Sequence, residues 1–256
     1  MSRHPPPRCF LAADAWAAGE TLLAPEESRH LLRVLRARAG DPVIVFDGCG
    51  RRVPARLVSA DRGGLARIRM DLAAVETQPL PPARIILAQA LPKHNLMDTI
   101  VQKAVELGAA AVWPLLTERV VAAGDAERQE AKTDRWRKIA REAARQCGAD
   151  WIPEVRPPMD LPGLVAELHT CHRCFVGALT PDAVAFRQAA AAARPLPASG
   201  AALMIVIGPE GDLAPAEMEL LTSAGGIPVS FGAAVLRVET AALYALSLMH
   251  YEFLSA

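Results

Sequence analysis

The sequence predicts an α/β protein in which a mostly parallel sheet, covered by helices on both faces, follows a small β-rich unit. Three observations carry this. Beyond residue 84 apolar runs alternate with amphipathic segments, the pattern of repeated strand–helix units. Before residue 75 short apolar runs are separated by glycine-containing turns. Between the two lies Glu76-Thr77-Gln78-Pro79-Leu80-Pro81-Pro82, where three prolines in four residues can continue neither a sheet nor a helix. The expected organisation is therefore an N-terminal unit over residues 1–75, a Pro-rich linker over 76–83 and an α/β domain over 84–256.

In the first unit, Pro25-Glu26-Glu27 opens a helix, since proline is tolerated in the first turn and acids favour the positive end. Gly40 is expected to close it. Leu31, Leu32 and Leu35 give its apolar stripe, and Arg29, Arg33 and Arg36 recur at spacings that place them on one face. Val43–Phe46, the turn Asp47-Gly48-Cys49-Gly50 and Arg51–Val58 read as a strand pair. Leu65–Met70 supplies another strand after the turn at Asp61-Arg62-Gly63-Gly64.

Beyond the linker, strands are expected at Arg84–Ala90, Ala111–Leu115, Cys174–Ala178, Ala202–Ile207 and Ile227–Phe231. Helices are expected at Asn95–Leu107, Asp125–Cys147, Leu161–Thr170, Pro181–Ala193 and Pro215–Ala224, with a last one from about Thr240.

Composition narrows the function. With 52% hydrophobic and 22% charged residues the chain is globular, and its formal charge is zero. Global basicity thus announces no nucleic-acid partner, but residues 1–75 hold twelve arginines against eight acids, so any RNA surface is local to this unit. A charged helix face also reads as a merely solvated face. The N-terminus lacks the apolar core of a signal peptide, and no run is long enough to span a bilayer, so a cytoplasmic protein without a membrane partner is expected. Five scattered cysteines fit reduced thiols. Cys171-His172-Arg173-Cys174 lacks the two further ligands of a structural zinc site, and no metal is expected.

Two glycine loops stand out. Ile207-Gly208-Pro209-Glu210-Gly211 follows a continuous apolar strand, and Phe231-Gly232-Ala233-Ala234-Val235-Leu236-Arg237-Val238-Glu239-Thr240 follows the next. Leaving neighbouring strands on one sheet edge, they would form a crevice of the kind that binds ligands in open α/β sheets. Either loop alone also reads as an ordinary connection. Glu210 stands where a phosphate would sit, and the sequence contains neither a phosphate-binding G-x-x-x-x-G-K-[ST] loop nor G-x-G-x-x-G. A neutral or cationic ligand suits the crevice better. G-x-S-x-G and H-E-x-x-H are missing as well.

Taken together, Arg29–Arg36, Lys93 with Gln102–Gly108, Arg135–Ala140 with Glu142–Gln146, Ile207–Gly211 and Leu236–Ala241 closely resemble the RsmE family. These are SPOUT-type methyltransferases of small-subunit ribosomal RNA, and the match runs in order over nearly the whole chain. The resemblance implies an N-terminal PUA-like β-barrel that holds RNA and a C-terminal SPOUT-type parallel-sheet domain with a trefoil knot. It implies S-adenosyl-L-methionine as cofactor, a homodimer, and methylation of a uridine at N3 in 16S ribosomal RNA of the small ribosomal subunit. By motif, the cofactor-binding residues are Leu179, Thr180, Ile207, Gly208, Pro209, Glu210, Gly211, Phe231, Gly232, Val235, Leu236 and Thr240. The catalytic residues are Arg237 and Glu239; Arg29, Arg33, Arg36 and Lys93 face RNA.

Some positions depart from the family pattern. Lys93-His94-Asn95-Leu96-Met97-Asp98 stands where a Lys-Gly-Asp-Arg-Met-Glu type run is usual, so an arginine is missing at Leu96. Ala149 and Ala234 replace two further arginines, and Gly211-Asp212 replaces a common Gly-Gly. A ribose 2′-O-methyltransferase of the same superfamily and an inactive RNA-binding protein are the alternative readings.

Overall fold

A computed structural model describes residues 5–119, 126–197 and 199–255. The chain divides into two compact units, one of residues 1–79 with 144–152, the other of residues 80–143 with 153–256.

In the first unit, β1 (Arg8–Phe10), β2 (Glu20–Leu22), helix α1 (Pro25–Arg29), β3 (Pro42–Phe46), β4 (Arg51–Ala60), β5 (Ala66–Met70) and β6 (Glu76–Thr77) follow in order. The sheet order is β1-β3-β4-β5-β2, and β6 pairs with β4. The first two residues of the Pro-rich stretch are thus still paired, Thr77 with Arg51 and Glu76 with Arg52. Only β1 and β3 run parallel; the other pairs are antiparallel. Alternation sends Val53, Ala55 and Leu57 of β4 inward, onto Val43, Val45, Ile68 and Leu31. The Asp47 carboxylate ties the β3–β4 turn by accepting from the Cys49 and Arg51 amides (2.7 and 3.0 Å) and from Arg51 Nε (2.6 Å).

The helix expected to run to Gly40 stops earlier. α1 passes into one wider turn over His30–Val34, and Arg36 lies beyond it at φ 57°. Leu31 turns into the core while Val34 and Leu35 stay exposed, so the chain loosens once its one deep anchor is placed. Arg36 therefore does not share a helical face with Arg29 and Arg33. The end of the long helix described below also belongs to this unit. Arg145 donates to the nearly buried Glu27 carboxylate (3.0 Å), which also accepts from the Phe10 amide (3.1 Å). Burial pushes the Glu27 carboxyl above its ordinary range, against the pull of Arg145 and the Phe10 amide.

The second unit holds β7 (Ala83–Ala90), α2 (Leu96–Glu106), β8 (Ala111–Leu116), α3 (Ala126–Cys147, its last turn counted with the first unit), β9 (Glu154–Val155), β10 (Met159–Asp160) and α4 (Leu161–Glu167). Then follow β11 (Arg173–Gly177), β12 (Val184–Ala185), α5 (Phe186–Ala192), β13 (Ala201–Ile207), α6 (Pro215–Ser223), β14 (Gly226–Ser230) and α7 (Val238–Phe253). Every pair in the sheet is parallel, in the order β10-β8-β7-β13-β11-β14-β12, with β9 on β8. The expected start of α3 at Asp125 lies outside the described residues. The segment after Pro181 is not helical at once: Val184–Ala185 first pairs with β14.

The sheet is apolar on both faces, which is why its strands read as continuous apolar runs. Ile86, Ala88, Val176, Met204 and Val206 pack with Leu161, Leu164 and Leu221 of α4 and α6. The alternate residues of β7 and β13 face α7, which packs on both strands and on α2. Gly226 begins β14 against the end of α6, and a Cβ there would lie 2.8 Å from the Leu221 carbonyl oxygen and 3.0 Å from Val176 Cγ2. Backbone cannot yield as a side-chain tip can. Gly226→Ala is expected to cost about 2 kcal/mol or more through overpacking, read as a lowered midpoint in denaturant at unchanged slope.

Candidate active site

A crevice of about 660 Å³ opens at the C-terminal ends of β7, β11, β13 and β14. The two glycine loops do not leave neighbouring strands, because β11 lies between β13 and β14. Chain order and sheet order differ here, and only a crossover connection allows that. The intervening strand contributes a third loop, so Gly177, Ala178 and Leu179 form a wall between the other two. The three strand ends meet closely: a Cβ on Gly177 would lie 3.2 Å from both Ile207 Cδ1 and Phe231 Cε2.

The first glycine loop contributes Ile207, Gly208, Pro209, Glu210 and Gly211, and the second Phe231, Gly232, Val235, Leu236, Arg237 and Glu239. Lys93, expected to face RNA, lines the same crevice. Thr180 and Thr240 do not. Thr180 Oγ1 lies buried without a hydrogen-bond partner one residue past the Leu179 wall. Arg29, Arg33 and Arg36 lie in the first unit, exposed and without an ion-pair partner among the described residues.

Local contacts fix the loops to one another. Glu210 accepts from the Lys93 amide (2.9 Å), joining the first glycine loop to the β7–α2 connection. Asp212 accepts from the Leu179 amide (3.4 Å) and from the Leu213 amide (2.8 Å), joining it to the β11 loop. Arg119 donates to the Gly211 carbonyl and, at 3.4 Å, to that of Asp212. The Phe231 ring stands edge-on to Tyr244 (6.1 Å between centroids) and leans on Phe186 (6.0 Å). Neighbouring rings thus fix one apolar wall.

Two departures from the family pattern read in the sequence carry left-handed backbone. His94 and Asp212 stand where glycine is usual, and both adopt left-handed backbone, at φ 57° and 67°. Both line the crevice, where sequence reasoning named neither as a site residue. Their signal was the missing glycine, since a conformation suited to glycine persists here with a side chain attached.

Two charged residues line the crevice at the start of α7. Arg237 caps α7 from an extended conformation and its side chain is exposed. Glu239 sits in the first turn of α7, where the helix end favours its charge. The helix begins at Val238, two residues before the expected start. No ion pair joins Arg237 to Glu239. Neither cysteine of Cys171-His172-Arg173-Cys174 is an activated nucleophile: burial pushes both thiols up, Cys174 to about 12. Among the described residues no three His, Cys, Asp or Glu side chains gather as a metal group.

Comparison with known proteins gives this crevice its context. Residues 79–250 match the family model described as RNA methyltransferase domain, and residues 23–68 match the RNA methyltransferase PUA domain. The chain belongs to the RNA methyltransferase family. A relative from Bacillus subtilis, ribosomal RNA small subunit methyltransferase E, is 33% identical over 89% of this chain and 88% of its own length. The protein of the same description from Mycobacterium tuberculosis is 36% identical over 86% and 82%. Among solved structures, a Legionella pneumophila methyltransferase in complex with the cofactor SAM superposes with a TM-score of 0.86 at 30% identity, covering 97% and 98% of the two chains. A Neisseria gonorrhoeae ribosomal RNA small subunit methyltransferase E bound to S-adenosyl methionine gives 0.82 at 26% identity, over 97% and 98%. The family resemblance read from the motifs therefore holds, as does the RNA methyltransferase activity it implies.

Proposed function

We propose that the protein transfers a methyl group from S-adenosylmethionine to N3 of a uridine in 16S ribosomal RNA of the small ribosomal subunit, acting as a cytoplasmic homodimer. The observation that carries this is the crevice where three glycine-containing loops meet. It combines apolar walls, close backbone approach and carboxylates rather than a phosphate cradle. Relatives solved with S-adenosylmethionine share the fold over nearly their whole length.

The residues suit that cofactor. Leu179 and Val235 are 59% and 76% exposed at the crevice, an apolar pair able to cover a flat adenine, and Phe231 backs them. Thr180, one residue past Leu179, is assigned to the cofactor by motif, its hydroxyl buried without a partner behind the wall. Thr240 is assigned here by motif alone. When bound, the sulfonium supplies an electrophilic methyl.

The remaining work falls to the chain's own side chains. Uridine N3–H is a weak acid, so transfer needs the proton removed and the resulting charge stabilised. Arg237 is placed to stabilise negative charge growing on the uracil carbonyls. Glu239, in the first turn of α7, accepts the proton directly or through water. Lys93, Arg29, Arg33 and Arg36 hold the RNA backbone, with residues 1–75 as the PUA-like β-barrel, 76–83 as linker and 84–256 as the SPOUT domain.

The order β7-β13-β11-β14, with α7 returning onto β7 and β13, supports threading of the C-terminal segment as a trefoil knot. Tyr244 and Tyr251 stand seven residues apart on α7, 45% and 72% exposed, and a second copy of the chain is the expected cover.

Titration calorimetry tests the cofactor assignment. S-adenosylmethionine should bind at one site per chain, and ATP should give no heat of binding. A flat titration with S-adenosylmethionine, or tight binding of ATP, contradicts the assignment.

A further inference from the structure

Asp212 lines the crevice with its carboxylate tied to two loops. It holds a left-handed backbone at φ 67° that glycine would adopt without strain. Its two carboxylate oxygens serve different walls: one accepts from the Leu213 amide at 2.8 Å within its own loop, the other from the Leu179 amide at 3.4 Å on the β11 loop. The carboxylate packs so closely on the loop that a Cβ on Gly208 would lie 3.2 Å from Oδ1. Both partners are neutral amides. Glu210, two residues earlier, is likewise held by an amide, that of Lys93. Among the described residues neither carboxylate has an ion-pair partner. This wall of the crevice therefore holds two carboxylates tied in place by amides, with Arg119 donating to the carbonyls of the same loop and to neither carboxylate.

We infer that Asp212 is a specificity-determining residue that makes the crevice favour a positively charged methyl donor over the neutral product of transfer. The inference rests on the S-adenosylmethionine reading above. In the transfer, the methyl–sulfur bond breaks as the bond to uridine N3 forms. The electron pair of the broken bond stays on sulfur, the N3 proton passes to a base, and the sulfonium becomes the neutral thioether of S-adenosylhomocysteine. Donor and product differ at this point by one charge and one methyl group. A fixed carboxylate attracts the first and is indifferent to the charge of the second, so it eases product release without weakening donor capture. The hydrogen bond to Leu179 serves the same end by holding the carboxylate and the apolar wall in fixed relation.

The test is calorimetry on the full chain with both ligands at low ionic strength, comparing wild type, Asp212→Asn and Asp212→Gly. Asparagine and glycine both accept left-handed backbone, so folding should survive, and thermal melts check it. Removing this one charge from the crevice wall should raise the donor Kd about three- to tenfold. The product Kd should change little in Asp212→Asn, so that the donor-to-product preference shrinks by the same factor. In Asp212→Gly, loss of the Leu179 contact should weaken both ligands in addition to narrowing the preference. Equal changes in both Kd values of Asp212→Asn would reduce Asp212 to a structural tie, and unchanged values would remove it from binding altogether; either overturns the inference. A wild-type protein that binds neither ligand overturns the cofactor reading itself, and the role of Asp212 falls with it.

Discussion

Replacing Arg237 by alanine is expected to lower the single-turnover rate of methyl transfer about 10²- to 10³-fold while donor affinity stays within about twofold. Arg237 caps α7 through its backbone conformation, not its side chain, and its carbonyl accepts from the Ala241 amide at 2.8 Å whatever the side chain is. The guanidinium is exposed at the crevice, so its removal leaves no buried partner stranded. Loss of rate without loss of folding or donor binding separates charge stabilisation in the transition state from ground-state binding. Rapid-quench measurement with saturating donor reads the effect. An unchanged rate would remove Arg237 from the chemistry.

The second large effect concerns RNA. Replacing Arg29, Arg33 and Arg36 together by alanine should weaken binding more than tenfold, roughly, at low salt, and should reduce the slope of log affinity against log salt by about 2 to 3. All three side chains are exposed, without an ion-pair partner among the described residues, and belong to a unit rich in arginine. The wider turn at His30–Val34 and the left-handed Arg36 spread them beyond one helical face. They would then grip several phosphates along a strand, not one. Filter binding across a salt series checks this, and an unchanged slope would make them a solvated surface.

What the sequence made legible follows from how much each segment depends on distant contacts. The long elements are visible from their own residues: α2 and α3 repeat apolar residues at the helical period, while β7 and β13 are continuous apolar runs buried on both faces. β1, β2 and β12 escaped notice. Each has three residues or fewer and owes its form to the strand beside it. The expected helix up to Gly40 failed for a related reason: Leu32 and Leu35 complete an apolar stripe on paper, yet only Leu31 finds a fully buried place.

The crevice itself was legible in outline. Glycine spacing marked two of its loops, but sheet order is a property of the whole chain, so local pattern could not reveal β11 between them. Only the family resemblance pointed to Leu179. Asp212 was legible as a departure from a pattern, while its hold on Leu179 needed the fold to bring two loops, thirty-three residues apart, within reach.

The most direct test is to locate the methyl group. Small ribosomal subunits from cells lacking this protein would be incubated with purified protein and methyl-labelled S-adenosylmethionine. The 16S RNA would then be digested and its nucleosides resolved by mass spectrometry. The account predicts one labelled nucleoside, a uridine carrying the methyl on N3 of its base. Label on a ribose 2′-oxygen, or no incorporation by a protein that binds the donor, would contradict it.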